Sequence, residues 1–136
     1  MYDNILVPMA LDHGVSGTTL KVATTLRSPG GQITALHVHE PPHSSVNAYL
    51  DADTVREGFD RARQALTEKI AGHADVTARI VRGRSYRAIV EYAQQHGMDC
   101  IVVGSHKPGL SDFLLGSTAA RVVRHAPCAV HVCRPA

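Results

Sequence analysis

The sequence predicts an α/β domain built on a mostly parallel sheet with helices on both faces. Three observations predict it. Short apolar runs alternate with longer stretches of helical periodicity. Several of those runs are nearly continuous, as strands covered on both faces are. Gly or Pro marks most of the junctions between the two kinds of segment. The 136 residues suit a single domain, residues 1–136. Hydrophobic residues make up 44% of the chain and Trp is absent, so aliphatic packing carries the core.

The elements follow in order. Asn4–Met9 (NILVPM) is too short for a helix and reads as a buried strand. Ser16 is a candidate N-cap for a helix carrying Leu20, Ala23 and Leu26, stopped by Pro29, Gly30 and Gly31. Gln32–His39 (QITALHVH) is the second strand, ended by Pro41 and Pro42. Residues 43–50 read as loop. Asp51–Gly72 is the clearest helix, because Val55, Phe59, Ala62, Leu66 and Ile70 recur at steps of three and four. Gly72 suits its C-cap. Asp75–Arg82 is the third strand. Ser85 opens a helix bearing Ala88, Ile89, Tyr92 and Ala93, closed by Gly97. Asp99–Val103 is the fourth strand, Gly116–His125 the last helix and Cys128–Cys133 (CAVHVC) the fifth strand.

Composition narrows the function classes. Formal net charge is +2 and the basic residues are spread thinly, which argues against a nucleic-acid partner. No run of about 18 apolar residues exists, so no membrane span is expected. The start, MYDNILVPMALD, reads as no secretory leader. Cys100, Cys128 and Cys133 lack CxxC spacing. Cys128 and Cys133 fall on opposite faces of one strand, roughly 16 Å apart, so they do not bond within it. Reduced, packed thiols in a cytoplasmic protein are the expectation.

In a parallel sheet, ligands bind beyond the carboxyl ends of the strands, where the strand order reverses. The segment GSHKPGLSDFLLGS, residues 104–117, leaves the fourth strand at that edge. Gly104 permits close backbone approach. Lys107-Pro108-Gly109 suits a type II turn. Gly116, Ser117 and Thr118 open a helix whose free N–H groups and hydroxyls can hold an anion. The alternative is that these residues only cap a helix and turn a loop; residue types alone leave both open. Gly104, Gly109 and Ser111 mimic P-loop spacing, but Leu110 stands where the lysine belongs and no helix follows at once.

Other residues invite chemistry less strongly. His37 and His39 share a strand face near His43 and Glu40, a spacing that can chelate a metal but specifies no further ligand. Solvated or hydrogen-bonded histidines, and no metal, are the expectation. His125 suits a helix C-terminus. Ser105 beside His106 lacks an orienting acid, so no catalytic residue is assigned. The apolar last strand would lie at a sheet edge and invites pairing.

The whole chain resembles the universal stress protein family. The stretch Gly104-Ser105-His106 followed by Gly116-Ser117-Thr118, the tail from Leu114 through Cys128 and the start MYDNILVPM carry the resemblance. SHKPGLSDFLLGSTAARVVRHA is similar above all to the small enterobacterial F/G-type members, which have an SHRP-type loop. The resemblance implies a Rossmann-like, adenine nucleotide alpha hydrolase-like domain with a five-stranded parallel sheet of order 3-2-1-4-5. It also implies ATP, with Mg, as ligand and a homodimer through residues 128–133. By matching position Pro8, Met9 and Ala10 lie by the nucleoside, and Val38 and Val103 by the adenine. Gly104, Ser105, His106, Lys107, Gly109, Gly116, Ser117 and Thr118 fall in the phosphate segment. Two departures stand out. Lys107 replaces the pattern's second glycine, and the stretch to Gly116 is one residue shorter. Ala10 stands where nucleotide-binding members have Asp, with Asp12 two residues on. The expected function is a stress-response adenine-nucleotide module. The alternatives are a non-nucleotide interaction protein of the same fold and a slow ATPase or autophosphorylating protein.

Overall fold

The fold was obtained as a computed structural model that describes residues 1–11, 16–40, 52–105 and 115–134. Among the described residues five strands and four helices alternate in chain order: β1 (Tyr2–Pro8), α1 (Ser16–Leu26), β2 (Arg27–His39), α2 (Ala52–Lys69), β3 (Val76–Arg82), α3 (Ser85–Gln95), β4 (Cys100–Gly104), α4 (Ser117–His125) and β5 (Ala129–Cys133). The strands form one sheet in the order β3-β2-β1-β4-β5. Every neighbouring pair is parallel. The order reverses between β1 and β4, so the carboxyl ends of these two strands flank the switch point.

Two cores explain the layers. Ile5, Val7, Ile33, Ala35 and Val102 face Leu20 and Ala23 of α1 and Leu66 of α2. Leu6, Leu36, Ile101 and Val103 face Ile89 and Ala93 of α3 and Ala119 and Val122 of α4. Ile5, Leu6 and Val7 are consecutive and all 0% exposed, which only a strand covered on both faces permits. Each such side chain contributes about 1.5–3 kcal/mol by leaving water.

The amino edge of the sheet is fastened by side chains. Asp99 stands just before β4. Its carboxylate accepts hydrogen bonds from the Asp3 and Asn4 amides at 2.8 and 3.0 Å. β1 begins at Tyr2 rather than at the expected Asn4 because Tyr2 already pairs with Arg27 of β2. The Asn4 side-chain Nδ2 in turn donates to the His96 carbonyl at 2.9 Å.

Boundaries shift elsewhere for identifiable reasons. Pro29, Gly30 and Gly31 were expected to separate helix from strand, yet β2 starts at Arg27. Tyr2 pairs with Arg27 and Asn4 with Gln32, so two steps along β1 match five along β2 and the surplus bulges out. Gly30 has φ +79°. A Cβ at Gly31 would lie 3.0 Å from the Tyr2 carbonyl oxygen, so the bulge needs that glycine. Helix α2 stops at Lys69, and Gly72 reaches φ +88° only after further turns. Gly97 closes α3 with φ +62°, as expected of it. Ser16 opens α1; its side chain, read as a cap, lies outside the described residues, as does Asp51.

Ser85 is a correction. It was expected to cap α3, but the cap position belongs to Arg84 and no side chain caps there. Ser85 is instead the first helical residue, with φ +32°, a left-handed backbone that costs a non-glycine residue roughly 1–3 kcal/mol.

Candidate functional site at the carboxyl edge of the sheet

The exit of β1 is held by donors from distant elements. The Met9 amide continues the ladder to the Leu36 carbonyl at 2.8 Å, and the Met9 side chain is buried. The Met9 carbonyl faces His37 Nδ1 at 3.0 Å. A carbonyl only accepts, so Nδ1 carries a proton in this contact. The next carbonyl, of Ala10, accepts from Lys69 Nζ at 3.0 Å. An ammonium from the end of α2 therefore reaches the position where the sequence carries no carboxylate.

The exit of β4 is built around Ser105. Its amide donates to the Cys133 carbonyl at 2.9 Å, and its carbonyl accepts from the Gly116 amide at 2.7 Å. The second bond ties the start of α4 back to the end of β4. The Ser105 residue is 1% exposed, and among the described residues its hydroxyl is the one buried side-chain polar atom without a hydrogen-bond partner. Such an orphan normally costs about 1–3 kcal/mol and calls for an explanation.

Helix α4 starts beside it. Gly116 occupies the N-cap with φ −60° and ψ 155°, and no side chain caps the helix. Among the described residues, none supplies an anion or hydroxyl to the first N–H groups and the positive end of the helix dipole at that cap. Ser117 is exposed and Thr118 half-buried. The Thr118 hydroxyl lies 3.4 Å from that of Ser85 at the start of α3. The Ser85 amide donates to Glu40 Oε1 at 3.0 Å, so a carboxylate from beyond β2 occupies the α3 N-terminus.

The fold brings Pro8, Met9, Ala10, Val38, Val103, Gly104, Ser105, Gly116, Ser117 and Thr118 to the carboxyl ends of β1, β2 and β4 and the start of α4. Val38 and Val103 contribute to the same core as α3 and α4. His106, Lys107 and Gly109 lie outside the described residues, as do Asp12 and His43. Sequence reading missed three members of this edge: Lys69, Ser85 as a contact of Thr118, and Glu40 as the anion on α3. Lys69 is 59 positions from Ala10, and no local pattern announces the contact.

The histidines sort by environment. His39 lies 5.6 Å from the Phe59 ring, edge-on, and Arg82 lies 4.6 Å over the same ring. Partial burial holds the His39 pKa below its usual value, with smaller contributions from the charges of His37 and Arg82. Among the described residues no three His, Cys, Asp or Glu side chains are grouped to hold a metal. His125 ends α4 with its ring stacked on Tyr86 at 5.4 Å. The cysteines are free, and burial above all pushes the Cys100 thiol up to about 11. An open depression lined by Arg27, Gly30, Gly31, Gln32, Asp75 and Thr77 lies at the opposite, amino end of the sheet, away from the switch point.

Comparison with known proteins decides the kinship. The sequence profile described as "Universal stress protein family" matches residues 1–134. The chain belongs to the universal stress protein family. Universal stress protein G of Salmonella typhimurium is 32% identical over 143 aligned positions, spanning 98% of this chain and 100% of that protein. The universal stress protein UspA from Lactobacillus plantarum superposes with a TM-score of 0.80 at 26% identity, covering 98% of each chain. Two further family structures share the fold at lower identity. One, solved in complex with cAMP, has a TM-score of 0.70 at 22% identity and covers 99% of both chains. The other, from Arabidopsis thaliana with AMP bound, has a TM-score of 0.62 at 18% identity, covering 98% of this chain and 92% of that one. Among the described residues no helix of this family member is long and apolar enough to cross a membrane.

Proposed function

We propose that this universal stress protein is a cytoplasmic, homodimeric module that holds an adenine nucleotide, ATP in the first instance, at the carboxyl edge of its sheet. One observation carries the reading: among the described residues, a helix N-terminus without a side-chain cap adjoins a buried hydroxyl without a partner, beside the switch point. A phosphate oxygen suits both, because it accepts from backbone N–H groups and from a serine hydroxyl at once. The adenine nucleotides named for the two relatives above support the ligand class. In this reading Gly104, Ser105, His106, Lys107, Gly109, Gly116, Ser117 and Thr118 serve the phosphates. Pro8, Met9 and Ala10 serve the nucleoside, and Val38 and Val103 the adenine. The nucleotide would alter the surface offered to partners in a stress response. Strand β5 lies at the sheet edge with Val130 and Val132 half-buried, which suits pairing with a second copy.

The residues fit the phosphates better than the ribose. Ala10 brings no carboxylate to hold a ribose diol or Mg²⁺, and its carbonyl is already taken by Lys69. That observation favours a second reading, an interaction protein of the same fold that binds no nucleotide.

Calorimetric titration of ATP with Mg²⁺ into the wild type and into Ala10→Asp separates the two. Binding by the wild type is the expected outcome and means that the phosphate half suffices. Binding by Ala10→Asp alone, or by neither protein, replaces it with the interaction-protein reading. At a hundredfold excess over Kd, bound ATP stabilises the fold by about 2.7 kcal/mol, which a thermal shift detects independently.

A further inference from the structure

Two helix N-termini meet at this edge, and the chain treats them differently. Helix α3 has no side-chain cap from its own Arg84, but the Glu40 carboxylate lies on its first amide, Ser85 N, at 3.0 Å. Among the described residues, none places such an anion at the Gly116 cap of α4. The two starts touch, since the Ser85 and Thr118 hydroxyls are 3.4 Å apart. A ligand anion on α4 therefore arrives as the neighbour of a resident anion on α3. The positive φ of Ser85 shows that the backbone tolerates a costly conformation while making both contacts.

From this juxtaposition we propose that Glu40 is a specificity-determining residue that ranks nucleotides by charge, disfavouring each additional phosphate carried to the α4 N-terminus. The inference rests on the nucleotide reading above. Its physical basis is Coulomb repulsion between like charges a few contacts apart on a solvent-facing rim. The Glu40 residue is exposed, so water screens the effect to roughly two- to fivefold in affinity per added ligand charge. Glu40 does not abolish binding in this scheme. It flattens the advantage that a longer phosphate chain gains from the helix dipole and the loop, so that AMP competes with ATP more closely than the dipole alone would allow.

The same arrangement makes the device separable from the fold. Glutamine at position 40 keeps an oxygen that accepts from Ser85 N and removes only the charge. A change in nucleotide ranking by that variant then reports charge rather than a lost cap, and equal Tm values for the two apo-proteins confirm that the fold is intact. The repulsion also carries a salt signature: at high ionic strength the screening length falls to a few Å, and the discrimination shrinks with it.

The experiment is calorimetric titration of AMP, ADP and ATP, without divalent metal and at fixed ionic strength, into the wild type and Glu40→Gln. The expected result is that Glu40→Gln tightens ATP most, ADP less and AMP least, with the ATP-to-AMP affinity ratio rising about fivefold or more and the rise fading at 0.5 M salt. An equal change for all three nucleotides overturns the proposal while leaving nucleotide binding intact. A ratio that falls overturns it too. Binding of no nucleotide by either protein overturns the proposal together with the reading on which it rests.

Discussion

The two ends of the sheet are finished in opposite ways. At the amino edge the chain closes its own polar groups: Asp99 takes the Asp3 and Asn4 amides, Asn4 takes the His96 carbonyl, and the N-terminal ammonium donates to the Leu26 carbonyl at 2.9 Å. At the carboxyl edge, among the described residues, a hydroxyl stays buried without a partner and a helix begins with no side-chain cap. One edge is a fastening and the other is an opening. The difference locates where the molecule gives up local stability, and the nucleotide proposed above would account for that cost.

The comparison can be broken by paired substitutions. Asp99→Ala removes two acceptors at once from the amino edge and leaves two amides of β1 without their partners. It is expected to lower stability by about 2–4 kcal/mol, read from urea unfolding. A loss below about 0.5 kcal/mol would mean that the amino edge is not fastened by this carboxylate. Nucleotide affinity is expected to stay within twofold, since Asp99 lies at the far end of β4 from the opening.

Ser105→Ala is the mirror experiment. Removing a buried hydroxyl that has no partner relieves a desolvation penalty, so stability is expected to hold or rise by up to about 1 kcal/mol. Affinity for ATP is expected to fall by about fivefold or more in the same variant. Destabilisation by more than about 1 kcal/mol would show that the hydroxyl serves the fold, and the contrast between the two edges would collapse.

The smallest expected effect is a pH dependence. Burial, then the charges of His37 and Arg82, lower the His39 pKa below its unfolded value of 6.5. The folded state therefore binds fewer protons than the unfolded state below that pH. The associated stability is fully present above 6.5 and is lost as pH falls through 6.5 toward the folded pKa. Tm measured from pH 8 to pH 5 should fall less steeply in His39→Gln than in the wild type. Parallel curves would assign the acid sensitivity to other groups.

How much of this was legible in the sequence depended on distance along the chain. Helix α2 was readable because Phe59, Ala62 and Leu66 sit three and four apart, a pattern contained within one element. The buried triplet Ile5-Leu6-Val7 and the helix-closing Gly97 were readable for the same reason. The start of β2 was not. Pro29-Gly30-Gly31 reads locally as a stop, yet β1 pairs on both sides of it and absorbs the surplus as a bulge. Ser85 was misread in the same way: a serine before an apolar run signals a cap, but Glu40 supplies the acceptor from 45 positions away. The site divides similarly. Gly104, Gly116, Ser117 and Thr118 were singled out by composition and family likeness, and the fold brings them to the carboxyl edge of the sheet. Lys69 on Ala10 and Glu40 on Ser85 are tertiary contacts, and a single sequence holds no local trace of them.

The bond from the Gly116 amide to the Ser105 carbonyl has one more consequence. It works as a clasp: Ser105 at the end of β4 and Gly116 at the start of α4 are held together, so the chain joining them in sequence begins and ends at fixed points, as a pendant does. Closing a pendant depends only weakly on its length, since each doubling costs about 0.6 kcal/mol. A residue more or fewer inside the clasp is then nearly free, because neither the strand register nor the helix start has to move. A one-residue difference in length between positions 105 and 116 is the kind of change such a clasp absorbs without moving the frame on either side.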